Sequence, residues 1–174
     1  HGIVHCQITN PRILQGMKDQ DLLAYIQPVF IDLDMNTVEP AIGAQRMDKV
    51  YAWKSMLDMG IHTSGGSDAP VVSFDAMENI YFAVTRKNIS GQPQEGWIPS
   101  EKMSVDEAVK LFTKNAAYAS YTEDENGTIE VGKNADFVVL EKNIYEIDPD
   151  EIKATKVDMT VLGGEIVYER EVEE

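Results

Sequence analysis

The sequence predicts an α/β fold: a parallel sheet with crossover helices, followed by a smaller, mostly β module. Two patterns predict it. Strand-like and helix-like runs alternate through residues 1–121, the order that crossover connections impose on parallel strands. After the acidic turn Glu123-Asp-Glu-Asn-Gly127 the helical spacing stops and short β-branched runs take over, so residues 122–174 are set apart as a second unit.

The opening His1-Gly-Ile-Val-His-Cys-Gln-Ile8 is strand-like from its first residues and, lacking an initiator Met, reads as a chain that starts mid-domain. Ile3, Val4, Cys6 and Ile8 form the nearly continuous apolar run of a strand buried on both faces. Asn10-Pro11 opens a helix, because proline has no amide hydrogen to leave unpaired in the first turn. Leu22 to Leu33 is the next strand candidate, with Pro28 marking a bend or an end. Met47, Val50, Tyr51, Lys54 and Leu57 recur at helical spacing over residues 44–59, and Gly60 supplies the stop. Ile61 to Ser64 reads as a short strand ahead of Gly65-Gly-Ser-Asp-Ala-Pro70. From Asp75 to Arg86, Met77, Ile80, Tyr81 and Val84 repeat the helical spacing.

Residues 88–103, with Gly91, Pro93, Gly96 and Pro99, form a long loop. Ser104-Val-Asp-Glu107 is a capping box that opens a helix running to Ala119, with Val105, Ala108, Val109 and Phe112 as its buried face. In the second unit, Phe137 to Leu140, Thr160 to Leu162 and Ile166 to Tyr168 are strands. Gly163-Gly164 is a two-residue hairpin turn, and the Glu-rich tail from Glu169 is expected to fray.

Composition narrows the function. With 43% hydrophobic and 26% charged residues the chain is built to fold. Its net charge of −15 repels phosphate backbones and anionic lipid, which excludes nucleic acid and membranes as principal partners. The single cysteine, Cys6, forms no internal disulfide and favours a reducing, cytoplasmic setting. No apolar run approaches the roughly 20 residues of a membrane span, so a soluble chain is expected.

Few residues carry chemistry. His5 lies inside an apolar strand, where an imidazole needs either a hydrogen-bond partner or a metal; the sequence leaves both open. His1 lies on the same face but four residues away, roughly 13 Å along a strand, too far to share one ion with His5. His62, at a strand start, caps or faces solvent. Asp68 follows Gly65-Gly-Ser67 at the carboxyl end of a strand, the end where ligands bind in parallel sheets. Its alternative role is an Asx turn onto its own backbone ahead of Pro70. Asp32-Leu-Asp-Met-Asn36 starts like a calcium loop but has Thr37 and Gly43 where such a loop needs Gly and Glu.

Three segments resemble the last third of an amidohydrolase-superfamily barrel: His5-Cys-Gln7, Tyr51-Ala-Trp-Lys54 with Leu57 and Gly60, and Gly66-Ser-Asp-Ala-Pro-Val71. Within that superfamily they are similar to the amidohydrolase 3 branch, which includes N-substituted formamide deformylases. The second half agrees, through Asn115-Ala-Ala-Tyr118, Gly127-Thr-Ile-Glu-Val-Gly-Lys-Asn-Ala-Asp-Phe-Val-Val-Leu140 and Val161-Leu-Gly-Gly-Glu-Ile-Val-Tyr168.

The resemblance implies the C-terminal part of a (β/α)8 TIM-type metallo-hydrolase barrel in residues 1–121, and C-terminal strands of a small β-sandwich in residues 122–174. It implies a divalent metal, zinc by donor type, held by His5 and Asp68 at the strand ends, with Asp68 also taking a proton from the attacking water. The implied substrate is a small-molecule amide, N-acyl, N-formyl or cyclic. The family's His-x-His pair, its lysine or acidic ligand and its fifth-strand histidine have no counterpart among the three histidines here. The chain is therefore expected to be inactive alone, to need the missing amino-terminal portion of the barrel, and to form a homo-oligomer through open parallel edges. The rival expectation is a non-catalytic scaffold or regulatory protein that keeps the fold.

Overall fold

The computed structural model describes residues 1–171, in which two three-stranded sheets are formed. In the first, β1 (Gly2–Val4), β2 (Leu23–Ile26) and β3 (Thr63–Gly65) lie in that order and run parallel. In the second, β4 (Phe137–Leu140), β5 (Val157–Leu162) and β6 (Glu165–Glu169) run antiparallel. Helix α1 (Pro11–Asp19) connects β1 to β2, and α2 (Phe30–Asp34), α3 (Val38–Ile42) and α4 (Trp53–Asp58) lie between β2 and β3. After β3 come α5 (Ala76–Thr85), α6 (Val105–Phe112) and α7 (Lys114–Ala119). Parallel neighbours need such crossovers, because the chain must return to the same end of the sheet before each strand.

Local signals fix the helix starts. Asn10 Oδ1 accepts from the Ile13 amide at 2.9 Å with Pro11 at the first helical position, and Asp75 Oδ1 accepts from the Met77 amide at 2.7 Å. Ser104 and Glu107 form the reciprocal capping box. Replacing Ser104 with Ala is expected to cost about 1 kcal/mol, read as a lower urea midpoint. Gly163 and Gly164 have φ of +58° and +85°, as a tight hairpin turn requires.

Longer elements depart from the sequence expectation where distant contacts intervene. The strand expected over residues 22–33 ends at Ile26: Pro28 has no amide to donate, and the Phe30 amide turns back to the Gln27 carbonyl, starting α2. The helix expected over residues 44–59 is a 3-10 segment (Ala44–Lys49), an extended step and then α4. Val50 forms an antiparallel bridge with Ile8, and the Tyr51 amide donates to the Gln7 carbonyl at 2.7 Å, which breaks the helical ladder. The helix expected over 104–119 breaks at Thr113 into α6 and α7. Its buried face centres on Ala108 and Leu111, with Val105, Val109 and Phe112 only partly covered.

Strand β1 is exposed, Val4 by 56%, where burial on both faces was expected. The loop over residues 88–103 contains a 3-10 turn at Pro99–Glu101. Glu169 ends β6 in place of starting a frayed tail, and residues 172–174 of that tail lie outside the described residues.

The core sits against the parallel sheet. Helix α5 is buried from Asn79 to Thr85, and Arg86, in the left-handed region at φ +58°, closes it with no solvent exposure. The guanidinium donates from Nε to the Trp97 carbonyl and from Nη1 to the Tyr51 carbonyl, each at 3.0 Å. It also lies over the Trp53 and Trp97 rings at 5.2 and 5.4 Å. Burial pushes its pKa down to about 10. The methionines at helical spacing are packing groups, Met56 and Met77 buried and Met47 and Met59 partly so.

Candidate functional site at the carboxyl ends of the parallel strands

The register aligns the carboxyl ends of the three parallel strands. Val4 pairs with Tyr25 and Ile26 with Gly65, so His5 follows β1, Gln27 follows β2 and Gly66-Ser-Asp68 follows β3 along one edge. Strands β1 and β3 both flank β2, which sets their axes roughly 10 Å apart. His5 and Asp68 therefore leave the same edge of the sheet, on either side of Gln27. His1 is at the opposite end of β1, and His62 precedes β3 and stacks on Tyr118 with ring centroids 3.8 Å apart.

His5 lies just past β1 rather than inside a strand. It has φ of +71° and Cys6 has +49°, two consecutive left-handed residues without glycine. Each such residue costs about 1–2 kcal/mol and persists only where surrounding contacts hold it. The His5 amide donates to the Tyr25 carbonyl at 2.7 Å, the Cys6 amide to the Val4 carbonyl at 3.0 Å, and the Cys6 thiol to the Ile3 carbonyl at 3.2 Å. Burial pushes the Cys6 thiol up to about 11, so it is a packed thiol and no nucleophile at neutral pH.

The imidazole has a defined neighbourhood. Nδ1 donates to Gln27 Oε1 at 2.8 Å and the ring stacks on Phe30 at 5.7 Å. With the Nδ1 proton held by a buried amide oxygen, Nε2 carries the lone pair, the arrangement that outer partners impose on a metal-donating histidine. Immediately downstream, Gln7 Nε2 donates to Asp34 Oδ2 at 3.0 Å, and the Tyr51 hydroxyl donates to the same oxygen. Burial and the Asp34 carboxylate hold the Tyr51 phenol well above its ordinary range, so it remains a donor.

Asp68 is exposed, with φ of +64°. The Asx turn offered as its alternative role is absent. Ser67 Oγ takes the Ala69 amide at 3.2 Å, the Asp68 carbonyl accepts from Val71 at 2.9 Å, and the Asp68 carboxylate accepts no hydrogen bond among the described residues. The turn is thus closed by Ser67 and the main chain, which leaves the carboxylate uncommitted. The Asp32–Asn36 stretch that imitated a calcium loop spans the end of helix α2.

An imidazole Nε2 and a free carboxylate fit a divalent ion, zinc in particular, as two of its donors. Among the described residues no group of three or more His, Cys, Asp or Glu converges to complete a cage.

A sequence model described as the amidohydrolase family matches residues 1–168. This chain belongs to amidohydrolase family 3. It is 34% identical over 168 residues to YtcJ of Bacillus subtilis, a match covering 97% of this chain and 32% of YtcJ. It is 35% identical over 122 residues to N-substituted formamide deformylase of Arthrobacter pascens, covering 70% of this chain and 22% of that enzyme. An uncharacterized metal-dependent hydrolase from Pyrococcus horikoshii shares the fold, with a TM-score of 0.76 at 21% identity over 85% of this chain and 30% of that one. This amidohydrolase-family chain spans less than a third of the length of each of these proteins.

Three residues at the site escape a reading of the sequence alone: Gln27, which holds the His5 ring, and Asp34 and Tyr51, which hold the neighbouring Gln7. The one available signal is Gln27, a polar residue directly after the apolar end of a parallel strand and directly before Pro28.

Proposed function

We propose that this chain is the carboxyl-terminal portion of a metal-dependent hydrolase that cleaves amide-type C–N bonds in a small N-acyl, N-formyl or cyclic amide. The observation that carries the reading is the placement of His5, with its Nδ1 proton committed to Gln27, and Asp68, with its carboxylate uncommitted, along one carboxyl edge of a parallel sheet in an amidohydrolase-family chain. Residues 1–121 then belong to the last strands and helices of a (β/α)8 barrel, and residues 122–174 to a small β-sandwich. The remaining metal donors come from an amino-terminal portion of the size that the longer relatives possess.

A divalent ion bound there, zinc by donor type, would lower the pKa of water from 15.7 toward about 7. His5 offers Nε2, kept in one tautomer by Gln27. Asp68 accepts a proton from the attacking water and returns it to the leaving nitrogen. A cytoplasmic location is consistent with the single cysteine, and no helix of the described residues is long and apolar enough to cross a membrane.

The test compares the 174-residue chain with the full-length protein on N-formyl and N-acyl amines. The full-length protein is expected to turn over and to lose activity to a chelator, and the isolated chain to be inactive because two donors do not hold a catalytic ion. Turnover by the isolated chain, or chelator-resistant turnover by the full-length protein, contradicts the proposal. A full-length protein that neither binds metal nor hydrolyses any of these amides would favour the scaffold role.

A further inference from the structure

We propose that Asp34 is a positioning residue for the imidazole of His5, acting through Gln7 and Tyr51; the inference rests on the metal-hydrolase reading above. Asp34 is the last residue of α2, and a single oxygen, Oδ2, takes both the Gln7 amide and the Tyr51 hydroxyl. A carboxylate is the side chain suited to this, being acceptor-only and able to take several donors at once. Among the described residues it pairs with no cation, so its hydrogen-bonding capacity goes to these two neighbours.

The connections on either side explain what Asp34 controls. Gln7 directly follows the left-handed pair His5-Cys6, and its carbonyl accepts from the Tyr51 amide at 2.7 Å. Tyr51 is itself left-handed, at φ +50°, and its carbonyl is held by the fully buried Arg86. Phe30, at the other end of α2, stacks on the imidazole, and Gln27 just before that helix holds Nδ1. One short helix thus fixes the His5 turn twice: Phe30 at the ring, Asp34 at Gln7, the residue that follows the strained pair. If Asp34 is removed, the Gln7 side chain is released, and the imidazole gains freedom to leave Gln27 and change tautomer.

The experiment uses the full-length protein, with zinc affinity measured by chelator competition and the histidine ring nitrogens of the metal-free protein followed by NMR. Asp34→Ala is expected to weaken zinc binding by about 10-fold, the lower end of the range for losing a partner bonded directly to a ligand, since Asp34 acts one residue further out, and to turn the single Nδ1–H form of His5 into a tautomer mixture. Tyr51→Phe moves both readouts the same way by less, and Asp34→Asn, which keeps an oxygen in place, restores most of the loss. Ser104→Ala, a destabilising change at the start of α6, is the control that leaves both readouts unchanged. Wild-type affinity and a single tautomer in Asp34→Ala would overturn the inference, as would an equal loss in Ser104→Ala. If Asp34→Ala does not fold, Tyr51→Phe decides in its place, and unchanged zinc affinity in that variant overturns the inference. The underlying metal reading fails separately, if His5→Ala binds zinc as tightly as the wild type.

Discussion

Replacing Asp68 with Asn in the full-length protein is expected to lower kcat by about 10²–10⁴-fold while leaving most of the bound metal in place. Asparagine keeps the shape and one oxygen donor but loses the basicity needed to accept a proton. The turn survives the change, because Ser67 and the Asp68 carbonyl close it, and the carboxylate takes no hydrogen bond among the described residues. Stability and fold should therefore match the wild type, so that the loss falls on the chemical step. His5→Ala behaves differently: it deletes a donor nitrogen, so metal content falls first and activity with it. Metal analysis alongside steady-state kinetics separates the two variants. Near-normal turnover by Asp68→Asn would leave the carboxylate without a role in proton transfer.

Arg86→Ala is expected to destabilise the chain by about 3–5 kcal/mol, the range for removing a large buried side chain or one partner of a buried polar set. The change strips the Tyr51 and Trp97 carbonyls of their donor and opens space between two indole rings. It also removes the positive charge that faces the buried Glu101 carboxylate through space, while the bonds of Glu101 to the amide and hydroxyl of Ser55 stay in place. Arg86→Met, which refills most of the volume, should recover part of the loss; the unpaired carbonyls account for the remainder. At about 2–4 °C per kcal/mol for a chain of this size, thermal unfolding should shift by roughly 10 °C in the alanine variant. A shift of a degree or two would mean that water reaches the guanidinium and that the residue is no part of the core.

Elements that depend on neighbours in sequence were legible before the structure. Asn10, Asp75 and Ser104 cap helices through side-chain bonds only two or three residues long, and the Gly163-Gly164 turn needs nothing from elsewhere. Elements that depend on distant contacts were not. Val50 and Tyr51 carry helical spacing, yet their backbone is taken by Ile8 and Gln7, more than 40 residues earlier. The site divides along the same line. The strand-end position of Asp68 follows from the residues around it, whereas that of His5 follows only from the family resemblance, its apolar neighbours having placed it inside the strand. Gln27 and Asp34, which hold the His5 turn, are brought to it only by the parallel register and by α2. The free carboxylate at Asp68 has a local cause that the sequence also carries: Pro70, two residues on, has no amide to close an Asx turn, and the Ala69 amide goes to Ser67 Oγ.

The most direct test is anomalous diffraction at the zinc edge from crystals of the full-length protein grown with zinc. An anomalous peak is expected at 2.0–2.2 Å from both His5 Nε2 and an Asp68 carboxylate oxygen, with Gln27 still on Nδ1. A metal peak bound without either residue, or with His5 ligating through Nδ1, would contradict the proposed metal site.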